Sequence, residues 1–378
     1  MSGFVAELEQ EARRGHHALD GFLRGRRFPV VDGRSVTFVW RGEADEVLLR
    51  HWIHGLPGGL PFHRVHGSNL WCLAIDVPEG SRVEYKFEVA RFGERRLMSD
   101  PLNEHHAADP YGANSVVHAQ GYAPPEWIAH DSEARAGELR EHMVRSQAFG
   151  GERRVQVYLP ARFRTTRRYP LLVVHDGEDY LRFAALKTVL DNLIHRLEIP
   201  SMVVALTQSP NRLEEYADDP RHARFLVDEL VPELERAFPL VQKPAARGLM
   251  GASFGAVASL SAAWRHQGVF GNLLLQSGSF VFTDIGHHDR GPLFDPVVRF
   301  VNAFRRHPGR PAEHIYLSCG VYESLIYYNR SLMPLLSKSG MTVRFSESHD
   351  GHNWENWRDR LREGLSWLFP GPLWMVYE

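Results

Sequence analysis

"RGLMGASFGAVASLSAAW", residues 247–264, runs an apolar strand signal into Gly-Ala-Ser-Phe-Gly and then, with no intervening loop, into a helix signal built of small residues. In an α/β sheet, G-x-S-x-G on a strand-to-helix turn describes a nucleophile elbow. Gly251 and Gly255 let strand and helix approach closely, and Ser253 takes a strained backbone position at the sheet edge. The amide of Phe254, opening the helix, would point to where an oxyanion forms.

The surroundings carry the same reading outward. "RRVQVYLP" and "YPLLVVHDG" are strand signals, the second nearly all apolar, as for a strand covered on both faces. "FAALKTVLDNLIHRLE" has helical spacing at Phe183, Leu186, Leu190, Leu193 and Leu197. "SMVVALT", "HARFLVDELVPELERAF", "NLLLQSG", "HIYLSCG", "YNRSLMPLLSKSG", "TVRFSES" and "WENWRDRLREGLSWLF" continue the alternation of strand and helix. Such alternation implies right-handed crossovers and a mostly parallel sheet, hence an α/β-hydrolase domain.

Upstream the period changes. "VTFVWRG", "EVLLRHWI", "LWCLAIDV", "VEYKFEVA" and "NSVVHAQ" are short strand signals between Gly-, Pro- and Asp-rich turns, as in an all-β sandwich. In "VEYKFEV", Val83, Tyr85, Phe87 and Val89 share one face. A Pro-rich break, "AQGYAPPEWIAHD", separates the halves. We expect an immunoglobulin-like β-sandwich over 1–122 and a catalytic domain over 123–378.

Composition excludes several function classes. The 378 residues are 43% hydrophobic and 24% charged, with a formal net charge of −2, so nothing draws the protein to nucleic acid or an anionic membrane. No apolar run reaches the ~18 residues of a membrane span. The charged N-terminus lacks a signal-peptide pattern, and a cytoplasmic location is expected. Cys72 and Cys319 read as buried small apolar residues, with no disulfide framework. The 21 histidines include adjacent pairs at 16–17, 105–106 and 287–288, without metal-ligand spacing. No metal or other cofactor is expected.

A serine nucleophile needs a base, and in this fold class the chain order is nucleophile, acid, histidine. The loop "SESHDGHNWENW" offers His352 first and His349 second. The acid should follow the strand "HIYLSCG", where Glu323 stands; Asp284 and Asp295 are substitutes. Its role is to hold the imidazole tautomer and stabilise the imidazolium. "LLVVHDGEDYLRF" is expected to supply a second oxyanion donor, with Gly177 letting backbone amides face the site and Glu178 or Asp179 as the donor. His175 and Asp176 lie upstream of Ser253, the wrong order for a triad, and read as loop-shaping.

"VYLP", "LLVVHDGEDY", "GASFGA", "LSCGVYESLIYYNRSLMPLL" and "DGHNWENWRDRL" together resemble the catalytic domain of enterochelin esterases and the wider esterase-D-like group. "WCLAIDVPEGSRVEYKFEV" and "SDPLNEHHAADPYGANSVV" resemble the N-terminal module of those enzymes, itself related to early-set immunoglobulin-like domains. The resemblance covers roughly residues 30–370. It implies Ser253 as nucleophile, His352 as base, Glu323 as acid, and a lid-like N-terminal module. Two departures stand out: Ala256 where the family often has glycine, and Asp350 where the histidine loop often begins Gly-Gly-His. A carboxylate so near His352 bears on the orientation of its ring.

The leading expectation is therefore a serine carboxylic-ester hydrolase working through an acyl-enzyme on a small-molecule ester, a ferric catecholate siderophore trilactone. A cationic pocket for that anion would draw on Arg212 and Arg358, whose alternative is ion pairing with nearby Glu214, Glu215 or Asp359. A second reading keeps the machinery but acts on acylated carbohydrate, a phenolic ester or a thioester, with Trp40, Trp52 or Trp71 on a sugar-binding face. A third is a non-catalytic binding protein on a hydrolase frame. A homodimer is left open.

Overall fold

The computed structural model describes residues 3–283 and 288–372. The chain divides into two compact units. The first comprises Met1–Pro124 with Gly320–Ser324 and Ser348–Asn353; the second holds the remainder.

In the second unit, eight strands form one mixed sheet: β1 (Glu138–Ser146), β2 (Gly151–Leu159), β3 (Leu171–Val174), β4 (Val203–Thr207), β5 (Arg247–Ala252), β6 (Asn272–Gln276), β7 (His314–Gly320) and β8 (Thr342–Ser348), in the order β1-β2-β4-β3-β5-β6-β7-β8. The β1–β2 and β2–β4 pairs are antiparallel, while β4–β3, β3–β5, β5–β6 and β6–β7 are parallel. β3 shows why the centre reads as an uninterrupted apolar run. Leu171 and Val173 enter one hydrophobic cluster and Leu172 and Val174 another, so both faces are covered.

β1 escapes a pattern search because it is an edge strand whose side chains, from Glu138 to Arg145, are mostly exposed. The helix expected from Phe183 to Leu197 is two pieces, Gly177–Phe183 and Leu186–His195, because Ala185 turns left-handed at φ 48°. Leu197 falls beyond the second piece, also at positive φ. The helix from Pro220 to Ala237 contains a π-turn over Phe225–Leu230. Pro232 lacks the N–H that a regular ladder would require there.

The first unit holds two antiparallel sheets, one of four strands and one of six. Val36, Phe38, Trp40 and Trp71 from one meet Val47, Leu49, Tyr85 and Phe87 from the other in a shared core. The expected alternation over 83–89 is present, with all four odd positions buried. Trp40 and Trp71 are thus core residues at 8% and 7% exposure, which removes them from a sugar-binding face; Trp52 is exposed. Two helices that the sequence reading passed over, Gly3–Arg13 and His16–Leu23, bring Phe4, Val5, Leu8 and Leu19 into a second cluster with Val39 and Cys72. Among the described residues no helix is long and apolar enough to cross a membrane.

Candidate active site

Ser253 stands between β5 and the helix Phe254–Arg265 with φ 56° and ψ −118°, a backbone conformation side-chain-bearing residues rarely hold. Of the flanking glycines, Gly251 is a steric necessity and Gly255 sits in a tight fit. A Cβ on Gly251 would lie 2.4 Å from the carbonyl carbon and oxygen of Gly255, and one on Gly255 would lie 3.2 Å from His175 Cβ. The serine N–H donates to the Gln276 carbonyl at 2.9 Å, tying the elbow to β6. Its Oγ lies 3.2 Å from Ser279 Oγ. Asn329, fully buried, fixes the loop carrying Ser279 by accepting from the Gly278 N–H and donating to the Gly278 carbonyl. Neither Ser279 nor Asn329 carries a motif, so the sequence reading missed both. Gly251→Ala, forcing helix from strand against packed backbone, is expected to cost about 3 kcal/mol, a fall in Tm of roughly 6–12 °C for a unit of this size. A thermal melt checks it, and an unchanged Tm would refute the steric account.

His175 and Asp176 sit directly beneath the elbow. His175 Nδ1 is 3.2 Å from the Met250 carbonyl, which can only accept, so Nδ1 carries the hydrogen. Its Nε2 then accepts from His222 Nε2 at 3.0 Å, leaving His222 Nδ1 as a buried acceptor with no hydrogen-bond partner. Burial lowers the His175 pKa to about 4 and pushes His222 well below the ordinary range. The His175–His222 pair is therefore buried and neutral. Two bases with depressed folded-state pKa values add stability that is present above the unfolded value near 6.5 and lost as pH falls toward 4. His222→Gln is expected to give a shallower fall in unfolding midpoint between pH 7 and pH 4.5 than the unaltered protein. Parallel curves would show that His222 titrates normally.

After β3 the chain turns left-handed at Asp176 and opens the helix Gly177–Phe183. Gly177 is demanded by contact: a Cβ there would lie 2.5 Å from Leu206 Cβ. The Glu178 amide donates to Gln208 Oε1 and the Asp179 carboxylate accepts from Gln208 Nε2, both at 3.3 Å. The Glu178 side chain pairs with Arg154. The Glu178 amide is thus directed at Gln208, a correction to its expected place in an oxyanion hole.

The two arginines expected to meet an anionic substrate both hold internal carboxylates. Arg212 Nε lies 2.8 Å and 2.9 Å from the oxygens of buried Asp176, a partner not foreseen. Glu215 pairs instead with Arg153, and Glu214 with Arg221. Arg358, nearly buried, donates to Asp359 at 2.9 Å and Glu355 at 3.3 Å.

Glu323 and His352, both in the first unit, are brought together. Glu323 is 3% exposed; one carboxylate oxygen accepts from the Gly320 N–H at 2.8 Å, and the other lies 2.7 Å from His352 Nδ1. A carboxylate accepts, so Nδ1 carries the hydrogen, and in the neutral ring Nε2 is the accepting nitrogen. His349, the second choice, has its Nδ1 3.1 Å from the Glu79 carbonyl instead. Of the substitute acids, Asp295 is exposed and bonds His288 at 3.0 Å, and Asp284 lies outside the described residues. Asp350 does not turn toward His352. It accepts from the Gly351 N–H at 2.7 Å and Asn353 Nδ2 at 2.8 Å, and meets Arg82. Burial, opposed by Arg82, pushes its pKa up to about 6.

Neither cysteine is disposed for chemistry. Cys72 Sγ lies 2.9 Å from His63 Nε2, but burial, reinforced by Glu9, pushes the thiol pKa up to about 12. Cys319 is buried. Among the described residues no group of three or more His, Cys, Asp or Glu is placed to hold a metal ion.

An eight-stranded sheet of this order, with a serine elbow after its fifth strand, is the frame of α/β-hydrolase-type enzymes. The family model described as "Putative esterase" matches residues 146–368, well over half of the chain, and the chain belongs to that family of ester hydrolases. The resemblance drawn from the motifs is borne out. The iron(III) enterobactin esterase of Escherichia coli O6:H1 is 24% identical over 88% of this chain and 90% of its own length. The solved enterochelin esterase of Shigella flexneri superposes with TM-score 0.72 at 20% identity, covering 92% of this chain and 97% of that one. A ferulic acid esterase from Anaeromyces mucronatus matches at TM-score 0.52 and 15% identity, over 65% of this chain and 95% of its own.

Proposed function

We propose that the protein is a serine esterase that cleaves a catecholate siderophore trilactone of the enterobactin type, releasing its iron in the cytoplasm. Ser253 Oγ attacks the ester carbonyl while His352 Nε2 takes its proton. The tetrahedral oxyanion is met by the Phe254 amide and by the Gly177 or Asp179 amide, since that of Glu178 is engaged by Gln208. Collapse expels the alcohol, protonated by His352, and leaves an acyl-Ser253 ester. His352 then deprotonates the water that hydrolyses it. Glu323 holds Nδ1–H throughout, so that Nε2 faces the reaction.

The observation that carries this reading is the 2.7 Å Glu323–His352 contact, which fixes the tautomer a base needs, on a chain whose elbow serine has positive φ. The substrate class rests on the relatives named as enterobactin esterases, since the arginines foreseen for a cationic pocket hold internal carboxylates instead. Purified protein would be assayed on a ferric catecholate trilactone beside nitrophenyl and feruloyl esters, with Ser253→Ala as control. Serine-dependent trilactone cleavage well above the model esters is the expected result. Activity on the model esters alone would keep the mechanism and discard the substrate. Silence on every ester would favour a binding protein.

A further inference from the structure

The histidine loop rests on an arginine from the sandwich, within the first unit. Arg82 opens the strand Arg82–Arg91 and is 0% exposed, the rarest placement for this side chain. Its Nη1 donates to Asn353 Oδ1 at 2.9 Å and Asp350 Oδ1 at 3.3 Å, and its Nη2 to Glu84 Oε1 at 2.9 Å. Its backbone N–H donates to the His349 carbonyl at 2.9 Å. One residue thus grips the loop at positions 349, 350 and 353, on either side of His352.

The loop's other ties reach the acid. The Tyr322 N–H donates to the Asp350 carbonyl at 3.1 Å, and the Val321 N–H to that of Ser348 at 2.9 Å. Asp350 is itself 4% exposed, so its charge needs a buried counter-charge, and Arg82 is the cation beside it. Glu84, the second carboxylate on the guanidinium, is also held by Asn114 Nδ2 at 2.7 Å.

We propose that Arg82 is a positioning residue for the esterase reaction: through Asp350 and Asn353 it fixes the 348–353 loop so that His352 Nδ1 stays on Glu323. The aspartate that departs from the resembled family's glycine is then one half of a clamp, and its partner lies in the other half of the sequence. The inference rests on His352 being the base. A histidine displaced by about 1 Å loses on the order of 10²-fold in rate, whereas substrate affinity does not depend on that contact.

The full-length Arg82→Met, Arg82→Lys and Asp350→Asn variants test this on a nitrophenyl ester. Folded protein is counted from the amplitude of its thermal unfolding transition, and His352→Ala serves as reference. Expected are a roughly 10²-fold lower kcat per folded protein in Arg82→Met with KM within about twofold, and recovery of at least about tenfold in Arg82→Lys. Asp350→Asn, near-isosteric, should lower kcat about tenfold and add little when combined with Arg82→Met, because both break one connection. It also serves as the deciding variant if Arg82→Met does not fold. Unchanged kcat per folded protein in Asp350→Asn, or Arg82→Lys no better than Arg82→Met, would overturn the proposal. Full activity in His352→Ala would instead remove the reading on which it stands.

Discussion

Ser253→Ala is expected to leave a folded protein whose ester turnover falls on the order of 10⁴-fold or more. The fold should tolerate the change. Alanine replaces one side-chain-bearing residue by another at the same φ of 56°, so the strain of the elbow is carried over rather than added. The hydroxyl makes a 3.2 Å contact with Ser279 Oγ, worth about 1 kcal/mol at most. The elbow's ties to β6 and Ser279 through the Ser253 N–H and carbonyl involve backbone atoms and remain. What disappears is the proposed nucleophile, while helix N-terminus and oxyanion-loop amides survive to give a small residual rate. Steady-state kinetics with a nitrophenyl ester, a thermal melt and intact mass after phosphonate treatment decide the matter. Loss of both turnover and the mass adduct at unchanged Tm is the expected set. Turnover within tenfold of the unaltered protein would sink Ser253 and direct attention to Ser279, whose hydroxyl lies 3.2 Å away.

The parts that were legible in the sequence are those where chemistry constrains residue type locally. G-x-S-x-G announced the elbow because a Cβ at Gly251 collides with Gly255 backbone, so the spacing is itself a steric statement. β3 announced itself because a strand covered on both faces can hold nothing polar. Chain order and placement just past two strand ends put Glu323 and His352 forward, with Asp284, Asp295 and His349 as alternatives, although 29 residues separate the two that meet. What stayed hidden depends on contacts distant in sequence. Arg82 and Asp350 are 268 positions apart, and no local pattern joins them. Arg212 could be read as ion-paired, but its partner, Asp176, is buried in the turn after β3 and lies 36 positions upstream. β1 hides for the opposite reason: an edge strand with one hydrogen-bonded neighbour shows no apolar period. The N-terminal helices were passed over because their apolar stripe of Phe4, Val5 and Leu8 sits among charged residues.

Glu323→Gln should lower kcat by on the order of 10³–10⁴-fold, although it changes one oxygen for a nitrogen. The carboxylate has two acceptor oxygens and uses both, one on the Gly320 N–H at 2.8 Å and one on His352 Nδ1 at 2.7 Å. A carboxamide has one acceptor and must choose. If its oxygen faces Gly320, its NH₂ faces His352 and forces the hydrogen onto Nε2, the tautomer that cannot act as base. If its oxygen faces His352, its NH₂ opposes the Gly320 N–H, two donors in a buried site, at about 1–3 kcal/mol. Either orientation removes the charge that would stabilise the imidazolium during attack. The predicted signature is therefore a large fall in kcat, KM within about threefold, and a Tm loss far smaller than the activity loss. Asp295→Asn serves as the comparison, since Asp295 is exposed and engaged with His288. If Glu323→Gln kept a third or more of kcat while Asp295→Asn lost it, the acid would be Asp295 and the buried pair a structural tie.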